Sequence, residues 1–132
     1  NARRYNEILK SSLPEKAKYY LTESRKCYFI GSYDASIINA GRAVEFALKE
    51  SLRRKKITFN EKSTLHDIWE KFKGLFKGGK PLDEVKILEK TEELVRIYRN
   101  VTAHDNPKIA TKDEADLVWA AAKLIVYHLL EQ

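Results

Sequence analysis

The chain has 132 residues, enough for one domain that buries roughly two-thirds of its unfolded surface. With 43% apolar and 33% charged residues the composition argues against disorder, and no apolar run approaches the ~18 residues of a membrane-spanning helix. The net charge of +6 is uneven: residues 1–77 hold 17 Lys/Arg against 9 Asp/Glu, and residues 78–132 hold 8 against 10. The basic first half either attracts polyanions or is a solvated charged surface.

Five helices and no strand are expected. The first runs from about Leu13 to Phe29, with Ser12 as N-cap, Pro14 in the first turn and Glu15 adding a favourable charge there. Ala17, Tyr20, Leu21, Ser24 and Tyr28 share one face. Gly31 ends the helix. The second runs from about Tyr33 to Lys55, capped by Ser32 or Asp34. Its inward stripe is Ile37, Ile38, Gly41, Val44, Glu45, Leu48 and Leu52, and its tail, SLRRKK (51–56), is strongly basic.

The third helix is expected from about Thr64 to Phe76, with Ser63 as cap and Leu65, Ile68, Trp69, Phe72 and Phe76 inside. The KGGKP turn (77–81) follows; it lacks the spacing of a phosphate-binding loop. The fourth runs from about Leu82 to Val101, with Val85, Leu88, Thr91, Glu92, Val95 and Tyr98 or Arg99 at helical spacing. The last runs from about Lys112 to Leu130 behind a capping box, TKDE (111–114). Its core face is Ala115, Val118, Trp119, Ala122, Ile125, Val126 and Leu129. The pattern describes an all-α, up-and-down helical bundle of about five helices.

A lone cysteine, Cys27, cannot form an intramolecular disulfide; a buried or half-buried thiol in a reducing, cytoplasmic setting is expected. No secretory leader is visible. The chain starts at Asn1 and has no methionine, so residues 1–132 read as a single domain that is either excised from a longer chain or lacks its first residues. Cys27, His66 and His128 make no metal-ligand spacing, and neither a metal nor a cofactor is expected.

The stretch with most chemical content is RIYRNVTAHDNP (96–107). It breaks from a helical pattern into His104, Asp105, Asn106 and Pro107. Arg99, Asn100 and His104 are either cations and a polar residue offsetting helix-end carbonyls or a small catalytic set. This element resembles the HEPN superfamily, in which an arginine, a polar residue, a few further residues and a histidine precede the last core helix. ASIINAGRAVEFALKESL (35–52), with its internal Glu45, is similar to the second helix of many such domains. The likeness covers roughly residues 13–130. Asn106 stands where some members carry a tyrosine.

The resemblance implies a metal-independent endoribonuclease, usually a homodimer with the motifs of both chains at one interface. The chemistry is consistent with that arrangement. Cleavage by the 2′-hydroxyl of RNA needs a base, an acid and positive charge near the phosphorane. Histidine can be base or acid near neutrality, and arginine forks onto phosphate oxygens. One of each is too few, and a two-fold axis supplies two of each. Asn100 would orient Arg99 or bind phosphate, with Glu45 or Thr102 in support.

RNA or a nucleotide is the expected ligand. Arg53, Arg54, Lys55 and Lys56 form either an RNA track or a solvated helix end, and Tyr98 is a candidate for stacking on a base. A toxin–antitoxin, antiviral or RNA-processing setting would add a neutralising antitoxin or a fused upstream domain as partner. The competing reading is a non-catalytic protein-interaction or nucleotide-binding module of a larger protein.

Overall fold

A computed structural model describes residues 2–74, 89, 92–93, 95–97 and 110–131. Among them regular structure is helical throughout, with no strand. The helices are α1 (Ala2–Lys10), α2 (Glu15–Phe29), α3 (Tyr33–Arg54), α4 (Leu65–Lys73) and α5 (Lys112–Leu130). Residues 89, 92–93 and 95–97 are also helical, within the expected fourth helix. The KGGKP turn and the rest of the fourth helix lie outside the described residues.

Helix α1 was not expected from the sequence. Among its described side chains Ile8 alone is fully buried, while an exposed Arg3–Glu7 pair (3.4 Å) lies one turn apart. Nine residues with one apolar anchor are marginal as an isolated helix, so packing on α2 sustains it. Side chains help close its end: Ser11 Oγ donates to the Ile8 carbonyl (2.7 Å) and Lys18 Nζ to the Leu9 carbonyl (3.2 Å).

That junction also corrects the start of the next helix. Pro14, with φ −54° and ψ 146°, is the N-cap of α2 and no side chain caps it; Ser12 does not. The serine hydroxyl in use, that of Ser11, faces back onto α1.

The end of α2 follows the expectation for Gly31. Its φ is +83°, its N–H donates to Tyr28 O (3.1 Å), and Ser32 N–H donates to Cys27 O (2.8 Å). That bond pair is a Schellman closure. The same pair closes α3: Lys56 N–H to Arg53 O (2.9 Å) and Ile57 N–H to Leu52 O (3.0 Å). Here the left-handed residue is Lys56, with φ 58°, a conformation that costs a side-chain-bearing residue about 1 kcal/mol.

Helices α2, α3 and α5 make the centre of the core. Helix α2 runs antiparallel to α3, and Ser24 and Ser36, both fully buried, meet at the crossing: Ser24 Oγ donates to Ser36 O (2.7 Å). Helix α5 runs parallel to α3. Asp34 at the start of α3 accepts from the N–H of Ala110 (2.9 Å), and Arg54 at its end donates to Leu130 O (3.1 Å). Asp34 therefore ties two helix starts together and does not cap α3; Ser32 holds the cap position without a side-chain bond.

Helix α3 is central. Besides the expected Ile37, Val44, Leu48 and Leu52, it buries Ala40, Ala43 and Ala47. Alanines on a second face let neighbours approach from both sides. Ile38 and Glu45 are half-buried. Helix α4 packs on α3 through Leu65, Ile68, Trp69 and Phe72. Its cap is Thr64, which accepts from Asp67 N–H (3.2 Å), one residue after the expected Ser63.

Helix α5 has the expected capping box. Thr111 Oγ1 accepts from Glu114 N–H (3.1 Å) and the Glu114 carboxylate accepts from Thr111 N–H (3.0 Å). All seven expected core residues of α5 are buried, and Trp119 Nε1 donates to Leu21 O (3.1 Å). Each large side chain buried this way contributes roughly 1.5–3 kcal/mol.

One buried group runs against type. Arg25 is 4% exposed, and its guanidinium carbon lies 4.1 Å from the Tyr28 ring centre and 4.3 Å from that of Trp119. Its Nη1 donates to Asp116 (3.0 Å), joining α2 to the first turns of α5. Nε of Arg25 is buried without a hydrogen-bond partner among the described residues.

Candidate functional site

Tyr98, Arg99, Asn100, Thr102, His104 and Asn106 lie outside the described residues. Both flanks of the motif are described. Upstream, Glu92 and Val95 are buried, at 1% and 0% exposure. Downstream, Ala110 is buried and held to Asp34, directly before the capping box.

Glu92 falls on the helical stripe expected for this segment, and its environment is unusual for a carboxylate. Burial pushes its pKa from 4.5 up to about 7, against the opposing pull of Arg96, whose Nε lies 3.3 Å away. Glu70 and Glu93 push the same way as burial. The nearby α4 surface is charged as well, with Lys73 bridging Glu70 (3.3 Å) and Glu89 (3.7 Å). A buried carboxyl poised near neutrality, seven residues before Arg99 in sequence, is the kind of group that collects at working sites as well as in structural networks.

The shift has a consequence for stability. The folded-state pKa is above the unfolded one, so unfolding releases a proton once pH passes about 4.5. Stability from this group is full below that pH, falls as pH rises, and is gone past about 7. At about 1.4 kcal/mol per unit, the loss is about 3–4 kcal/mol. Glu92→Gln does not titrate. Its melting temperature should match wild type near pH 4.5 and exceed it increasingly up to pH 7; parallel melting curves across that range would refute the assignment.

The basic tail of α3 is divided. Arg53 is held by Glu61 through Nη2 (2.9 and 2.8 Å) and by Glu50 (3.2 Å), and lies over Phe59 (5.4 Å). The Glu61 hydrogen bonds hold its pKa above the usual arginine value. Arg54 closes the C-terminus of α5. Lys55 and Lys56 are exposed at the helix end. Arg53 and Arg54 therefore carry structural bonds, and Lys55 and Lys56 face solvent. Glu45 is half-buried on α3.

The remaining nucleophile and ligand candidates are quiet. Cys27 is half-buried; burial first, then Glu23, pushes its pKa up, so the thiol stays protonated near neutrality. His66 is exposed and His128 half-buried. Among the described residues no three His, Cys, Asp or Glu side chains are grouped to hold a metal ion. No helix among them is long and apolar enough to cross a membrane.

Comparison with known proteins agrees with the all-helical fold. The family model described as HEPN domain matches residues 11–131. No curated protein and no solved structure matches.

Proposed function

The chain belongs to the HEPN domain family, and we propose that it is a metal-independent endoribonuclease whose site is composed from Arg99 and His104 of two identical chains. The observation that carries this reading is a family match spanning the whole Arg99–Asn100…His104 element.

In the proposed reaction one neutral imidazole takes the proton of a ribose 2′-hydroxyl. The 2′-oxygen bonds to phosphorus, the bond to the 5′-oxygen breaks, and the other imidazole, as imidazolium, protonates that leaving oxygen. The two Arg99 guanidiniums fork onto the non-bridging oxygens, where charge builds, and Asn100 assists in holding them. Lys55 and Lys56, exposed beside the α3 end, would draw RNA in by charge. A neutralising antitoxin or an attached upstream domain fits the same reading.

The products identify the route. In excess chelator, wild-type protein should leave a 5′-hydroxyl on one RNA fragment and a 2′,3′-cyclic phosphate on the other, and should sediment as a dimer. A 5′-phosphate, an added-metal requirement, or full activity from a monomer would overturn the proposal.

A further inference from the structure

A cavity of about 270 Å³ opens between α2 and α3, lined by Lys16, Tyr20, Arg42, Glu45, Phe46, Lys49, Arg53 and Glu61. Its volume lies just under the ~300 Å³ where small-molecule sites begin, which suits a ligand of nucleotide size. Four cations face two carboxylates on its wall. Arg53 and Glu61 neutralise each other through the pair described above. The other three cations have no carboxylate within ion-pairing distance among the described residues: Arg42 is exposed, Lys16 lies 5.9 Å from the Phe46 ring centre, and Lys49 Nζ donates to the backbone carbonyl of Glu61 (2.6 Å). With Glu45 counted, a net positive wall sits beside two aromatic rings, Tyr20 and Phe46, both half-buried against the core.

Cations aligned with aromatic rings are the combination that holds single-stranded nucleic acid: charge tracks the phosphates, and a ring offers a sequence-tolerant face to a base. We propose that this cavity seats one nucleotide of a single-stranded RNA, its phosphate on Lys16, Arg42 and Lys49 and its base against Tyr20 or Phe46. It is an anchoring subsite made of residues other than Arg99, Asn100 and His104. The polymer's identity as RNA rests on the proposed nuclease activity; the phosphate-plus-base chemistry rests on the cavity itself.

The test is a binding titration in chelator, on a His104→Ala background so that the strand stays intact. The probe is a fluorescein-labelled oligouridylate of roughly ten nucleotides. Lys16→Ala/Arg42→Ala should weaken binding about tenfold. It should also flatten the plot of log affinity against log salt by up to about 0.7, the share of the one phosphate seated there. The comparison variant, Lys26→Ala/Lys112→Ala, removes two exposed cations from the other end of α2 and the start of α5 and should leave affinity within about twofold.

Equal losses from both pairs would show general charge attraction, and no loss from the first pair would show an idle cavity; either result overturns the inference. AMP as competitor tells the two sources of the chemistry apart. Displacement of the strand assigns the cavity to free nucleotides as well, and no displacement assigns it to a strand. Selective loss of binding in a protein whose wild type cleaves nothing would leave this subsite standing and remove the nuclease reading; cleavage with undiminished binding would do the reverse.

Discussion

Arg25→Ala is expected to lower the unfolding free energy by about 4 kcal/mol, a fall in melting temperature of roughly 10–15 °C for a domain this size. Three losses combine. The stem of Arg25 fills space that no neighbour can collapse into, because Trp119 is held in place by its bond to Leu21 O. The guanidinium lies against the Tyr28 and Trp119 rings in a desolvated setting, where such a contact contributes about 2 kcal/mol. The bond to Asp116 is also lost, and it matters least, because the Asp116 side chain is 53% exposed and screened by water. Asp116→Asn should therefore cost under about 1 kcal/mol. Arg25→Lys should recover only part of the loss, since an ammonium has neither the planar face nor the fork. Calorimetric melting of the three variants checks the order; an Asp116→Asn effect as large as that of Arg25→Ala would show that the ion pair, not the stacking, carries the energy.

The same residue shows where sequence reasoning runs out. Little in the local sequence marks Arg25 as buried: a charge is seldom buried, and the residues that bury it, Asp116 and Trp119, come from the far end of the chain. Its one local clue was Tyr28, three residues on. Asp34 misled in a similar way. An aspartate in the first turn of a helix looks like a cap or a favourable charge, and only the tertiary fold brings Ala110 to it. Helix α1 gives no periodic signal, since among its described side chains Ile8 alone is buried. By contrast, α5 was legible to its ends, because its capping box and its apolar spacing are both local.

The site divides along the same line. The Arg99–His104 element is a local pattern and can be found by reading. The cavity on α2 and α3 needed two helices at once. Its signal was present, with Lys16 and Tyr20 one turn apart on one helix and Arg42, Phe46 and Lys49 at four- and three-residue steps on the other, but each stripe alone looks like an ordinary mixed surface.

The second large effect expected is on catalysis. Removing a general acid–base group lowers rates by ~10²–10⁴-fold, and His104 would fill both roles through its two copies. An imidazole-to-methyl change removes the proton transfer while Arg99 can still bind phosphate, so the loss should fall on turnover more than on RNA affinity. The most direct measurement is cleavage of a labelled RNA in excess chelator by wild type and by His104→Ala, at matched helicity and melting temperature. Wild type should release fragments, and the variant should release them at least ~100-fold more slowly. Equal rates from the two proteins, or no fragments from wild type, would contradict the proposed site.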